Sequence, residues 1–278
     1  KYPGKYNSYV AASYVKFIEG AGGRVVPIWI GKDLSYYEDI ISKINGVLWP
    51  GGSASFDESN GYADAGNKIY KIATRINNQG DYFPIFGTCL GFELLTYITA
   101  YRVKHTIDCN CQGVPLPLEF TPGDYNANYQ LYLNENVTAN YHKYCVTEKS
   151  LEKLRLKDPF RILSLNHDLN GFKFISALES VHLPFYGVQF HPEKNIYEWI
   201  TGKRIPHGKR ATRVSQYFCS FFISRKNGHK FQSTDEESRS LIYNYPATYT
   251  GLNGSVFVQC YLSLRSDEPL SYTELHKR

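Results

Sequence analysis

What the chain lacks narrows it first. No run approaches the roughly 20 consecutive apolar residues that a membrane-spanning helix needs, so no membrane partner is expected. Basic residues exceed acidic ones by 31 to 26, a net charge of +5, but they are spread along the chain rather than gathered into blocks. That spread gives nucleic acid no local footprint, while a mildly positive surface suits an anionic small molecule. Cysteine is scarce: Cys89, Cys109, Cys111, Cys145, Cys219 and Cys260 are six in 278 residues. They are too few for a disulfide scaffold, and none falls in a paired C-x-x-C zinc spacing. No metal and no cofactor is therefore expected. Cys109 and Cys111 are each open to pairing with a distant partner, and the sequence fixes no connectivity. Methionine is absent altogether, which suggests that modified methionines have dropped out of the written sequence and that some consecutive numbers span short gaps. There is no internal repeat and no low-complexity linker.

What remains is the composition of an enzyme-sized globular chain. Hydrophobic residues make up 42% and aromatics 15%, enough to bury a large core in one α/β domain with excursions. Val10, Tyr14, Phe17, Ile18 and Ala21 recur at helical spacing and predict a helix from about Tyr9, stopped by Gly20, Gly22 and Gly23. The short β-branched run from Val25 to Ile30 predicts a buried strand. Leu34 to Ile44 then reads as a helix, and Gly46 to Trp49 as a strand broken at Pro50-Gly51-Gly52. A third repetition sets a helix over Tyr62 to Ile76 before a strand over Tyr82 to Phe86, and the break at Gly87-Thr88-Cys89-Leu90-Gly91 opens another helix to about Thr99. Strands alternating with helices predict a central, mostly parallel sheet flanked by helices. Residues 105 to 160, rich in Asn, Tyr, Pro and Gly, are read as loops and excursions near the carboxyl edge of that sheet. Phe172 to Ala177 and Phe185 to Phe190 suit an antiparallel pair, and a helix follows from about Val214 to Ser224. Residues 1–262 read as a single domain and 263–278 as a tail.

The strongest local signal is Gly87-Thr88-Cys89-Leu90-Gly91 between an apolar strand and a helix, the cysteine form of a nucleophile elbow. Flanking glycines let neighbouring backbones approach while the central residue takes strained geometry at the tip of the turn. At a helix N-terminus Cys89 is expected to have its thiol pKa lowered. A buried structural cysteine in a glycine-rich turn is the plainer alternative. The second signal is Gly187-Val188-Gln189-Phe190-His191-Pro192-Glu193, an apolar strand that ends on a histidine. Pro192 biases His191 toward extended geometry, in which residues i and i+2 share a side, so Glu193 can orient the imidazole.

These two segments together resemble the class I glutamine amidotransferase superfamily. Within it, Pro50-Gly51-Gly52-Ser53, the elbow continued through Phe92-Glu93, and Ala139-Asn140-Tyr141-His142-Lys143 resemble the γ-glutamyl hydrolase family over most of the chain, from about Tyr9 to Gly251. The resemblance implies cleavage of γ-glutamyl amide bonds in folyl and antifolate poly-γ-glutamates through a thioester on Cys89. It implies Cys89, His191 and Glu193 as catalytic residues, the backbone N–H groups of Gly52 and Leu90 as oxyanion donors, and Glu93, His142 and Gln189 near the substrate. A homodimer is compatible with it. Two other readings compete: a glutaminase subunit that delivers ammonia to a synthetase, and a catalytically silent α/β binding module. The first conflicts with Glu93, where glutamine-channelling relatives more often carry Gln. The sequons at Asn136 and Asn253, with a chain that opens on Lys1 as if a leader had been removed, add an expectation of a glycosylated, lysosomal or secreted protein.

Overall fold

The computed structural model describes residues 6, 8–121, 135–225, 227–251 and 255–263. The expected alternation organises the first hundred residues. Strand β1 (Ser8–Ala11) runs straight into helix α1 (Ala12–Glu19), α2 (Leu34–Ile41) leads to β2 (Val47–Trp49), α3 (Tyr62–Asn78) leads to β3 (Ile85–Thr88), and α4 (Leu90–Thr99) springs from β3 across a single residue, Cys89. Then come β4 (Ile107–Leu116), β5 (Glu119–Phe120), β6 (Thr138–Cys145), α5 (Glu148–Lys153), β7 (Phe160–His167), β8 (Lys173–Ser180) and β9 (Phe185–Val188). Helices α6 (Lys194–Tyr197), α7 (Lys209–Ser224) and α8 (Thr234–Ser240) and strands β10 (Ala247–Tyr249) and β11 (Gln259–Ser263) complete the described chain.

Six strands form the central sheet in the order β2-β3-β9-β8-β7-β5. The sheet is mixed rather than mostly parallel: β2, β3 and β9 run parallel, whereas β8, β7 and β5 alternate antiparallel. The reason lies in the connections. Residues 168–172 and 181–184 join β7 to β8 and β8 to β9 without a helix, and a link that short can only return the chain antiparallel. On β3 the pleat sends Ile85 into the core beneath α2, α3 and α4, with Tyr37, Ile41, Ile69, Ile72 and Leu95. It sends Phe86 to the opposite face, against Phe17 of α1 and Val214 and Phe222 of α7. Each fully buried phenylalanine contributes about 1.5–3 kcal/mol, and burial on both faces fixes β3 at the centre of the sheet.

Two sequence expectations are corrected. Val25 to Ile30 forms no strand. Pro27 has no N–H to give a ladder, and the run meets its backbone partners elsewhere: Trp29 N–H donates to Tyr36 Oη at 3.0 Å, Trp29 C=O accepts from Tyr37 Oη at 2.9 Å, and Val25 C=O accepts from Ile242 N–H at 2.9 Å. Within the described part of 105 to 160, β4 and β6 make a long antiparallel ribbon rather than loops. Register shifts between Asp108 and Cys111 and between Gln112 and Val114 interrupt its alternation, and a bulge of that kind erases the period-two signal. The chain closes on a small sheet, β1-β11-β10, in which Ser8 pairs with Ser263. Of the expected tail, only Ser263 lies among the described residues, as the last residue of β11. No helix among those residues is long and apolar enough to cross a membrane.

Candidate active site

The elbow is built as its glycines require. Cys89 has φ 52° and ψ −107°, a positive-φ conformation that costs a non-glycine residue of order 1–3 kcal/mol. Its N–H donates to Val188 C=O at 2.8 Å and its C=O accepts from Glu93 N–H at 3.0 Å, so β9 and α4 hold the turn from both sides. A Cβ on Gly87 would meet the Gly91 carbonyl carbon at 2.6 Å, and one on Gly91 would run into the Trp49 backbone. Neither position admits a side chain.

Opposite the elbow, His191 hangs from the end of β9, its N–H donating to Ala139 C=O of β6 at 2.8 Å. Its Nδ1 lies 2.7 Å from Glu193 Oε1 and 3.3 Å from Tyr14 Oη. The pairing with Glu193 was expected from an extended backbone, but a turn makes it: Glu193 has φ −65° and ψ −25°. Tyr14 Oη in turn accepts from Gly51 N–H at 2.8 Å. Gly51 is where the parts meet. A Cβ there would stand 2.7 Å from His191 Cε1, 2.7 Å from Tyr14 Oη and 3.1 Å from Cys89 Cβ. Cys89 and the imidazole therefore both crowd the space beside one bare glycine. No hydrogen bond joins Cys89 Sγ to His191 in the described structure, as is common before a substrate tightens such a pair.

Burial dominates the electrostatics. It pushes the Cys89 thiol above the ordinary cysteine range, and Glu93 and Glu193 push the same way, against Leu90 N–H and Lys194. The expected lowering by the helix N-terminus is overridden. Burial also holds His191 below the ordinary imidazole value, despite Glu193. Burial would raise Glu193, but the charge and hydrogen bond of His191, with Lys194 4.0 Å away, keep it ionised below the usual carboxylate range.

The remaining expected residues separate into groups. The Leu90 side chain reaches Gly52, where an added Cβ would stand 3.7 Å from Leu90 Cδ2. Glu93 and Gln189 are buried and bonded to each other, Gln189 Nε2 donating to Glu93 Oε1 at 3.0 Å, and burial raises Glu93 to about 7. His142 is enclosed in the β4–β6 ribbon beside the site. It is 4% exposed, with Nδ1 3.0 Å from Tyr144 C=O and Nε2 3.3 Å from Asn140 Oδ1, packed edge-on against Phe174. Its strand neighbour Tyr141 points to the other side and stands edge-on to His191, ring centroids 6.4 Å apart. Asn136 is exposed just before β6, and Asn253 lies outside the described residues. Sequence reasoning missed Tyr14, Tyr62 and Lys194. Tyr14 filled an apolar position of a helix, and nothing in that pattern shows its hydroxyl turning into the site. Tyr62, whose Oη donates to Pro50 C=O at 2.8 Å, was hidden in the same way.

The comparisons with known proteins fit this geometry. The family model for Peptidase C26 matches residues 1–193, which include the elbow, His191 and Glu193. The chain belongs to the peptidase C26 family. Among its relatives, the gamma-glutamyl hydrolase of Bos taurus is 42% identical over 271 residues, covering 93% of this chain and 83% of that one. The Homo sapiens gamma-glutamyl hydrolase is 40% identical with the same coverage. Gamma-glutamyl hydrolase B of Dictyostelium discoideum is 34% identical, covering 88% of this chain and 74% of that one. In this peptidase C26 chain the Cys89 elbow and the His191–Glu193 turn are brought together by adjacent parallel strands, β3 and β9.

Proposed function

We propose that this chain is a cysteine hydrolase that cleaves γ-glutamyl amide bonds of poly-γ-glutamates attached to folates and antifolates. The observation that carries it is the convergence of Cys89 and the His191–Glu193 pair on Gly51, in a chain similar over most of its length to gamma-glutamyl hydrolases. Glu193 holds Nδ1, which leaves Nε2 of His191 to take the thiol proton as sulfur attacks the γ-carbonyl. The carbon–nitrogen bond breaks as the same imidazole returns the proton to the leaving α-amine, and water, deprotonated by His191, then hydrolyses the thioester. The N–H groups of Leu90 and Gly52 serve the developing oxyanion, each contributing about 2.7–4 kcal/mol to the transition state. A thiol raised by burial and an imidazole lowered by it favour general-base attack over a preformed thiolate.

Glutamine-dependent ammonia delivery is not favoured. The test is to incubate wild type and Cys89→Ala with a folate pentaglutamate and follow chain length. Wild type shortens the tail and the variant does not; equal shortening by both, or ammonia release from free glutamine at matching efficiency, overturns the reading. A lysosomal or secreted setting is part of the proposal, supported by the Cys109–Cys145 disulfide, since such bonds persist in oxidising compartments, and by the exposed Asn136 sequon. Recovery of the native protein unglycosylated in a cytosolic fraction contradicts it.

A further inference from the structure

Beside the catalytic imidazole, β6 presents Tyr141, whose ring stands edge-on to that of His191 with centroids 6.4 Å apart. Its hydroxyl is shielded from water and has no hydrogen-bond partner among the described residues, and an orphaned donor of this kind is costly until an acceptor reaches it. Basic side chains gather at this ring. Lys194 Nζ lies 5.7 Å and Lys203 Nζ 5.9 Å from its centroid. Burial raises the Tyr141 phenol, and the Arg204 guanidinium is close enough to oppose that rise. Of the three cations, Lys194 is already engaged: it is buried, 4.0 Å from Glu193 Oε1, and helps to keep that carboxylate ionised. Lys203 and Arg204 are exposed, and among the described residues neither is in an ion pair.

The segment that carries these two cations is tied down next to β6. Ile205, directly after Arg204, is buried. Asn195 Nδ2 donates to Pro206 C=O at 2.8 Å and to Val137 C=O, just before β6, at 3.1 Å. Trp199 stacks flat on His207 with ring centroids 3.7 Å apart. The acids nearby do not cancel the charge. Glu193 is buried and held by His191 and Lys194. Glu198 is buried too, accepts from Val258 N–H at 2.8 Å, and has its carboxyl raised by burial.

In the proposed hydrolysis, on which this inference rests, His191 gives its proton to the α-amine of the departing glutamate. The α-carboxyl carbon of that glutamate is two bonds, or about 2.5 Å, from the same nitrogen. Its negative charge therefore arrives beside the imidazole, where Tyr141 stands. We propose that Lys203, Arg204 and the Tyr141 hydroxyl form the subsite that receives the α-carboxylate of the leaving glutamate. A guanidinium matches a carboxylate with two parallel N–H donors, and an ammonium adds a point charge. Both side chains are long enough to swing onto the anion, which gives the Tyr141 hydroxyl the acceptor it lacks. The subsite makes the enzyme selective for what leaves as well as for the glutamyl group that is attacked.

The test measures kcat/KM for an N-acylated γ-glutamylglutamate and for the same compound with the leaving residue's α-carboxylate replaced by a carboxamide. Wild type favours the carboxylate by about tenfold. In the double variant Lys203→Gln/Arg204→Gln the ratio falls to within about twofold, through loss on the carboxylate substrate, and each single variant lies between. Added salt narrows the wild-type ratio. Lys157→Gln, which removes a charge paired with Glu152, keeps it. A wild-type ratio within twofold, a double variant that retains the preference, or one that slows both substrates alike overturns the subsite and leaves the hydrolase reading standing. A wild type that cleaves neither compound overturns the hydrolase reading itself, and the subsite falls with it.

Discussion

Gly51→Ala tests the site geometry with one methyl group. The backbone tolerates it, because Gly51 is not among the positive-φ residues. The whole effect is therefore the new carbon, which would sit 2.7 Å from His191 Cε1, 2.7 Å from Tyr14 Oη and 3.1 Å from Cys89 Cβ. Unstrained carbon contacts lie near about 3.5–4.0 Å, so the imidazole and the phenol must each retreat by about 1 Å, and the elbow by less. The imidazole cannot retreat freely, since Glu193 holds its Nδ1 at 2.7 Å. A displacement of about 1 Å at a reacting group costs about 100-fold in rate, or about 2.7 kcal/mol of activation free energy. Overpacking costs about 1–3 kcal/mol of stability, within reach of a chain this size. The assay is kcat/KM on a γ-glutamyl peptide for wild type and variant, with urea unfolding under the same conditions to show that the variant is folded. A fall of about 100-fold in a folded protein is expected. A kcat/KM within threefold of wild type refutes the placement of nucleophile and base against Gly51.

Glu193→Gln keeps the shape but lets the imidazole take the wrong tautomer, so kcat falls by about 10²- to 10⁴-fold with KM little changed; steady-state kinetics showing less than tenfold loss removes Glu193 from the site. Glu93 is an acid raised in the folded state from 4.5 to about 7. Its contribution to stability is intact below pH 4.5 and is lost as pH rises to about 7, so Glu93→Gln stabilises by up to about 3 kcal/mol at pH 8 and by little at pH 4.5; equal urea midpoints for wild type and variant at pH 8 contradict this. With His191 lowered and Cys89 raised, the acid limb of kcat/KM for the free enzyme lies below pH 6.5 and no basic limb due to the thiol appears below pH 9; a midpoint above 6.5 on the acid side rules out the lowered imidazole. The Cys109–Cys145 bridge spans 36 positions, and its reduction lowers stability by about 4 kcal/mol, read as a shift in the urea midpoint.

How much of this was legible in the residues depends on what kind of pattern carried it. Gly87-Thr88-Cys89-Leu90-Gly91 announced itself because close backbone approach demands glycine, and glycine is visible in sequence. The link between His191 and Glu193 was legible by spacing, though the backbone that makes it is a turn rather than a strand. Tyr14 was not legible: a tyrosine on the apolar face of a helix packs in the same place whether its hydroxyl is idle or joins Gly51 N–H to His191 Nδ1. The β4–β6 ribbon was hidden by its own bulges. The mixed sheet was missed because β8 and β9 read as strands without revealing which edge they would join.

The overturned expectation about the thiol changes how the chemistry is argued. A helix N-terminus acts on a cysteine through a partial charge of about half a unit, and here that pull is opposed by full burial and by two carboxyl groups, Glu93 and Glu193. A preformed thiolate would face both acids from inside the protein. In the proposed mechanism the proton leaves sulfur as the new carbon–sulfur bond forms, and the charge passes to the oxygen that the N–H groups of Gly52 and Leu90 are proposed to hold. The imidazolium formed at that moment is stabilised by Glu193, which stays ionised because His191 and Lys194 hold it so. Glu193 is thus of greater use to the transition state than to the resting pair, which is why its loss should appear in kcat rather than in KM.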